Sequence, residues 1–346
     1  DLHSFPTRRS SDLFVNTELA NIAEVLKNSG RTVLYPHVNI DGDALGSCMA
    51  LARALKKLGK QVYVLIDEDI PDNLRFLDNG TCTSDRSLAA GSDVSVAVDW
   101  AQMNRIGSRE EVFKTAETTI CIDHHGTSKP ICDYNYIYID PKCAATGQLI
   151  FELIKHLGAE PDPEMGNAIY AAIATDTGNF QYSNTQKVSH LIAAELYDWG
   201  ITPDKVCIEI YQSNRMERIM IETQAMETLA CLCGGQLAIA YVTQDMLAKT
   251  GAEMSETDNI VTRLRSIKGV ETAVLLKEEE KNVVKGSMRS KNWFDVSAAA
   301  EELGGGGHER AAGFTLYTNL EEAFQRVAVV MTERMEQYDK RDNKCQ

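Results

Sequence analysis

The sequence predicts two α/β domains: an N-terminal domain with a mostly parallel sheet flanked by helices, and a smaller C-terminal α/β domain. Three observations carry this expectation. Short apolar runs of β type alternate with helix-patterned segments from residue 32 to residue 198, the order that yields parallel strands covered by helices on both faces. A polar stretch punctuated by Gly200 and Pro203 breaks the pattern at 199–227. Strand and helix signals then resume and run to about residue 340.

Each element has its own signal. Residues 1–13 are polar, turn-rich and unpatterned, do not begin with Met, and read as a non-native or disordered leader. The first domain is placed at 14–199. Residues 17–28 carry Leu19, Ile22, Ala23 and Leu26 on one helical side. A strand at 32–37 precedes a helix at 44–58, where Leu45, Met49, Ala52, Leu55 and Leu58 recur at helical spacing. Further strands are expected at 61–66, 93–98 and 118–122, and helices at 145–157, 163–175 and 186–198. Tyr134, Tyr136 and Tyr138 alternate at strand spacing and suit one face of a sheet. A linker is placed at 200–227, with a polar helical stretch over 204–227. The second domain, at 228–340, has strand signals near 236–243, 270–277 and 282–288 and helix signals near 256–267, 295–303 and 320–337. The charged run 277–281 reads as a solvated hairpin turn, and the glycines at 304–307 form one low-complexity feature.

Composition narrows the partners. The chain has 346 residues and a formal net charge of -15. That charge opposes binding to long duplex DNA or an anionic membrane, but not to a small anion whose pocket holds metal ions. No apolar run approaches the roughly 18–20 residues of a membrane span. The nine cysteines fall in no framework spacing, which suits reduced thiols and a cytoplasmic location. Cys231 and Cys233 lack the second pair that would complete a zinc site.

Four acidic and histidine clusters mark the first domain: His37, Asp41 and Asp43; Asp99; Asp123, His124 and His125; and Asp176. His37, Asp99 and Asp123 fall at carboxyl ends of expected strands, where α/β sheets bind ligands. Taken singly each has a plainer reading. Asp43 suits a helix cap at Ala44, Asp41 an Asp-Gly turn, Asp99 a loop cap, and Asp176 a helix-end acid. Taken together, oxygen ligands mixed with imidazole and without cysteine suit manganese or a similar ion. Two such ions roughly 3.5–4 Å apart can clamp the attacking and leaving oxygens of an in-line displacement. In the second domain, Gly304–Gly307 can expose backbone N–H groups to a phosphate. His308 and Arg289 can add charge-assisted bonds, and Arg310 is a weaker contact. Trp293 and Phe294 near Arg289 suit core packing, with base stacking as the alternative.

The clusters, in their order, resemble the four motifs of the DHH phosphoesterase superfamily: H-x-x-x-D-x-D at 37–43, Asp99, D-H-H at 123–125 and A-T-D-T-G at 174–178. The segment GGGGHERAAG at 304–313 resembles the glycine-rich signature of the DHHA1 domain. Order, spacing and length are similar to the branch of oligoribonucleases and pAp phosphatases, over about residues 16–336. The resemblance implies a DHH catalytic domain, a DHHA1 substrate-binding domain and two divalent ions, manganese by preference. His37 and Asp41 would bind one ion; Asp43, His124 and Asp176 the other. Asp99 would bridge both, and His125 would contact the substrate phosphate. Asp99, Asp123, His124 and His125 form the catalytic set, with Asp123 orienting a neighbouring imidazole. Ser287, Arg289, Gly305, Gly306, Gly307 and His308 would hold substrate.

The activity this implies is hydrolysis of two- to five-nucleotide RNA to mononucleotides, and of 3',5'-bisphosphorylated adenosine (pAp) to AMP. Partners are then short RNA oligonucleotides or small nucleotides, and the oligomeric state, a homodimer included, is left open. Two rivals stand beside it. One is a phosphodiesterase for cyclic dinucleotides or their linear products. The other is a non-catalytic nucleotide- or RNA-binding module, since DHHA1-like domains also occur on alanyl-tRNA synthetases.

Overall fold

The computed structural model describes residues 16–126 and 134–342; the leader expected at 1–13 lies outside them. The chain divides into two compact units at Ser213/Asn214. In the first, strands β1 (Arg31–Tyr35), β2 (Gln61–Leu65), β3 (Cys82–Thr83), β4 (Val94–Val98), β5 (Thr118–Asp123) and β6 (Tyr136–Ile139) form one sheet in the order β3-β2-β1-β4-β5-β6. Every pairing in it is parallel. Helices α1 (Leu19–Asn28), α2 (Gly42–Lys57), α3 (Arg86–Ala89), α4 (Glu110–Phe113), α5 (Thr146–Leu157), α6 (Pro163–Asp176), α7 (Lys187–Leu196) and α8 (Pro203–Gln212) accompany it. One apolar layer joins α1, α2, α5 and α6 to one sheet face, through residues such as Leu45, Leu51, Ile154 and Ile169. The other face buries Tyr35, Trp100 and Phe113. β4 is buried along its whole length, as a central parallel strand covered on both sides must be.

The strand order reverses direction between β1 and β4. Crossovers leave the sheet on opposite faces there and open a crevice beyond the strand ends. His37 follows β1 and Asp99 follows β4, so the fold places both at that switch point.

The second unit holds strands β7 (Ala230–Leu232), β8 (Leu237–Val242), β9 (Thr272–Glu280), β10 (Val283–Ser290), β11 (Gly306–His308) and β12 (Ala311–Leu316), in the order β11-β12-β10-β9-β8-β7. Only β8 and β9 pair in parallel among these, so the sheet is mixed. Helices α9 (Met216–Glu227), α10 (Gln244–Thr250) and α11 (Ile260–Ser266) cover one face with Ile221, Leu247, Ile260 and Leu264. Helices α12 (Val296–Glu302) and α13 (Leu320–Asp342) cover the other with Val296, Ala300, Val327 and Met331.

The structure corrects several expectations. The stretch 204–227 is two helices, not one linker: α8 buries Val206 and Ile210 in the first unit, and α9 buries Ile221 and Ala225 in the second. Helix α2 begins at Gly42, and Asp41 caps it by accepting from the Ala44 N–H at 3.0 Å; Asp43 is thereby released from capping. The charged run is mostly strand, because β9 extends to Glu280 and the turn falls at Lys281–Asn282. Lys277 is buried there and pairs with Asp258. The expected helix at 256–267 shortens to α11 after a 3-10 turn at Met254–Thr257. The core packing expected of Trp293 and Phe294, by contrast, is what the structure shows: both rings pack against Tyr338, with centroids 5.5 and 5.4 Å away. They belong to the core, which rules out base stacking by Phe294, since that ring is fully buried.

Candidate metal centre

His37 lies two residues beyond β1, in a loop that turns sharply enough to return Asp41 to it. Asn39 supplies the turn with a left-handed backbone (φ 57°), a conformation Asn tolerates better than most side chains. Two outside contacts fix the loop: Val38 N–H donates to the Arg105 carbonyl at 2.8 Å, and Ile40 N–H donates to Glu68 at 2.7 Å. His37 Nδ1 donates to the Val38 carbonyl at 2.8 Å. A carbonyl only accepts, so the proton sits on Nδ1 and the Nε2 lone pair faces Asp41 and Asp99, each 3.4 Å away.

His124 repeats the device. Its Nδ1 donates to the Cys143 carbonyl at 3.1 Å, and its Nε2 faces Asp43 at 3.7 Å, Asp99 at 3.6 Å and Asp176 at 3.5 Å. Both Nε2 atoms are buried and make no hydrogen bond. Buried polar atoms are rarely left so. Here they point at carboxylates, which without a cation between them would repel one another.

Asp99 links the two groups. It carries Oδ2 towards His37 and Oδ1 towards His124. Its backbone is left-handed (φ 68°), although its N–H still continues the sheet by donating to the Ile122 carbonyl at 2.9 Å. Such a conformation costs on the order of 1 kcal/mol or more for a non-glycine residue. It swings the carboxylate off the strand direction into the crevice. Among the described residues, side-chain ligand atoms form three groups, each within 4.8 Å: His37, Asp41 and Asp99; Asp43, His124 and Asp176; and Asp99, His124 and His125.

Electrostatics follow from this crowding. Burial first, then the charges of Asp99 and Asp176, raise the Asp43 carboxyl well above its ordinary range. Burial lifts Asp176 to about 6; His124 opposes the shift and Asp99 adds to it. For His37, burial works downward, but the nearby carboxylates of Asp41 and Asp99 outweigh it and push the imidazole up to about 10. The cluster's mixed imidazole and carboxylate donors fit divalent ions of intermediate hardness.

Several supporting residues were not legible in the sequence. Thr146 N–H donates to Asp43 at 2.6 Å and its hydroxyl to Asp99 at 2.7 Å; Gly147 N–H and the Ser47 hydroxyl complete the Asp43 shell at 2.9 and 3.1 Å. Thr146 and Gly147 open α5, so two orphan N–H groups of a helix N-terminus face a carboxylate. Gly147 is required for close approach, because a Cβ there would lie 2.6 Å from the Ala172 Cβ. Asp123 is fully buried and accepts from His125 Nδ1 at 2.7 Å and from its N–H at 3.1 Å. That bond outweighs burial and moves His125 up to about 9. With Nδ1 committed to Asp123, His125 keeps Nε2 for another partner.

In the second unit, Ser287 and Arg289 of β10 pair with Gly313 and Ala311 of β12, and Gly306 and His308 of β11 pair with the same two residues. Directly opposed residues share a sheet face. Ser287, Gly313 and Gly306 therefore form one row, and Arg289, Ala311 and His308 the next. The glycine run is partly an edge strand and not an open loop. Gly307 has φ 149°, and a Cβ on it would lie 2.5 Å from the Ala312 Cα. Gly305 precedes the strand; Arg310 turns away, donating to the Phe294 carbonyl at 2.9 Å.

Comparison with known proteins decides the family. The model of the DHH family N-terminal domain matches residues 31–175, and that of the DHHA1 domain matches 234–336. The bifunctional oligoribonuclease and PAP phosphatase NrnA of Thermus thermophilus is 36% identical over 319 residues, 91% of this chain and 93% of that protein. The chain belongs to the DHH family, in its NrnA branch. This DHH-family chain is also 25% identical to NrnA of Bacillus subtilis, over 83% of its own length and 89% of that protein. Its fold matches the crystal structure of an exopolyphosphatase-related protein from Bacteroides fragilis with a TM-score of 0.83 and 25% identity, over 92% and 96% of the two chains. Exonuclease RecJ bound to manganese shares the fold at a TM-score of 0.53 and 17% identity, over 92% and 95% of the two chains.

Proposed function

We propose that this chain is a metal-dependent phosphoesterase that hydrolyses short oligoribonucleotides to mononucleotides and pAp to AMP and phosphate. One observation supports it above the others: two buried imidazole nitrogens without partners, each facing carboxylates, with Asp99 offering one oxygen to each. In this reading His37, Asp41 and Asp99 hold one ion, and Asp43, Asp99, His124 and Asp176 hold a second. Manganese suits the donors better than magnesium, which prefers oxygen ligands and keeps its waters. When bound, the ions supply Lewis acidity at the phosphoryl oxygens and lower the pKa of water at the site.

The chain's own groups do the rest. The Val38 and Cys143 carbonyls hold each histidine in the tautomer that leaves Nε2 free to ligate. Asp123 orients His125, whose Nε2–H donates to a non-bridging phosphate oxygen. Ser287, Arg289, Gly305, Gly306, Gly307 and His308 hold the substrate's terminal phosphate or nucleotide. No described helix is long and apolar enough to cross a membrane; the scattered thiols suit a cytoplasmic enzyme, and the net charge of -15 favours small nucleotides over long duplex DNA.

The test is a substrate panel with manganese and with chelator: two- to five-nucleotide RNA, pAp and cyclic dinucleotides. The expected result is manganese-dependent release of mononucleotides from RNA and of AMP from pAp, abolished by Asp99→Asn with the fold intact. Release of no product from either substrate would overturn the proposal, and hydrolysis of cyclic dinucleotides alone would move it to the neighbouring activity.

A further inference from the structure

The sheet face that carries Ser287 and Arg289 continues past them along β10. Lys285, the next residue of β10 on that face, stands directly opposite Thr315 of β12 on one side and Lys277 of β9 on the other. Like charges directly opposed across a sheet are unfavourable. Each lysine here is offset by a carboxylate, Lys277 by Asp258 and Lys285 by Glu279 at 3.3 Å. Gly313 carries no side chain between these lysines and the Arg289 row, which clears the floor of a concavity of about 580 Å³ lined by Lys277, Lys285, Ser287, Gly313, Thr315 and Tyr317 among others. At its wall Tyr317 is 85% exposed, an aromatic surface that stacks on no other ring among the described residues.

We propose that this end of the face is a second nucleotide subsite. It takes a phosphate on Lys285 and stacks a base on Tyr317, so that it sets how long an oligonucleotide the protein grips. The spacing supports this. Lys285 lies four residues from Arg289 along one strand, about 14 Å at the antiparallel rise. A nucleotide whose terminal phosphate sits at Arg289 falls short of Lys285, whereas an extended oligonucleotide of three or more units reaches it. A phosphate can take the place of the Glu279 carboxylate at the exposed Lys285 ammonium, and a base offers the Tyr317 ring a stacking surface. The inference rests on the oligonucleotide reading above and adds to it the residues that determine substrate length.

The experiment compares wild type, Tyr317→Ala, Lys285→Gln and Lys285→Arg on a pentaribonucleotide, a diribonucleotide and pAp. In Tyr317→Ala and Lys285→Gln the ratio of kcat/KM for pentamer over pAp falls about tenfold, the loss expected for one stacked base, while Lys285→Arg holds the ratio near wild type. A parallel fall on all three substrates, or no change in the ratio, overturns the subsite. A second arm measures binding of a fluorescent pentaribonucleotide in chelator, where Kd rises about tenfold in Tyr317→Ala. If wild type hydrolyses none of the substrates, the activity assignment fails and this arm alone decides. Equal binding by wild type and Tyr317→Ala then overturns the subsite as well.

Discussion

Replacing Thr146 with valine removes one hydroxyl and almost nothing else. The side chain is fully buried, valine is close in shape, and the backbone N–H that donates to Asp43 remains. What is lost is the 2.7 Å bond from the hydroxyl to Asp99 Oδ1. A hydrogen bond to a charged group contributes about 1.5–3 kcal/mol. Asp99 is the carboxylate that both ligand groups share, so the loss falls on the affinity of the pair of ions. At about 1.4 kcal/mol per factor of ten, it weakens metal binding roughly 10- to 100-fold, the range found for partners that orient metal ligands.

Two assays read this. Activity titrated against manganese shifts its midpoint upward by that factor while the plateau changes less. In thermal denaturation, the stabilisation by a fixed saturating concentration of manganese shrinks by about 1.4–2.8 kcal/mol relative to wild type, since ligand stabilisation follows the logarithm of affinity. An unchanged midpoint together with an unchanged metal-induced shift refutes the reasoning, because Asp99 would then not depend on Thr146 for its placement.

Other residues give independent tests. Asp123→Ala removes the acceptor that holds His125; activity falls about 10- to 100-fold with the manganese midpoint near wild type, and a matching shift of that midpoint would make Asp123 part of the metal site. Asp162 caps α6 through the Met165 N–H at 3.0 Å and pairs with Arg53 and Lys57. Burial opposes its ionisation, but these contacts prevail and hold its carboxyl below the ordinary 3.8. Its contribution is therefore complete above about pH 4 and is lost as pH falls through the lowered value. Asp162→Ala costs about 1–2 kcal/mol at pH 7, by urea denaturation, and the difference narrows below pH 4; a constant difference would refute the electrostatic account. Gly286→Ala drives a methyl group into the Phe314 ring, whose nearest atom lies 1.9 Å from the built Cβ. It destabilises the second unit by about 1–3 kcal/mol, read by a lowered melting transition.

The sequence disclosed side-chain identity and strand positions well, and hydrogen-bond partners badly. The alternation of apolar runs is a long-range signal, and it placed β1, β4 and β5 within a residue or two because central parallel strands are apolar throughout. Edges were harder. β3 has two residues and β11 is glycine-rich, so neither carries the periodicity that marks a strand, whereas the alternating tyrosines did mark β6. At the site, His37, Asp41, Asp43, Asp99, His124 and Asp176 were visible as types in order. Thr146, Gly147, Val38 and Cys143 were not, for two of them act through backbone carbonyls and the others through the first turn of a helix. Backbone atoms have no residue code. Their roles exist only once α5 is seated against the end of α2.

Charge gives a physical reason for the proposed division between a metal centre and a separate substrate grip. Asp41, Asp43, Asp99 and Asp176 carry four negative charges when ionised, and two divalent ions carry four positive ones. The loaded centre is therefore close to neutral and offers a phosphate direction and polarisation more than net attraction. The chain around it has a net charge of -15, which repels a nucleotide at long range. Capture must then come from a locally basic surface. The described residues supply one on β10 and its neighbours, where Arg289, Lys285 and His308 project from one face over a floor kept low by glycine. Loss of Arg289 should accordingly raise KM more than it lowers kcat, whereas loss of Asp99 should abolish kcat. If Arg289→Gln instead lowers kcat at unchanged KM, this division between the metal centre and the basic face is wrong.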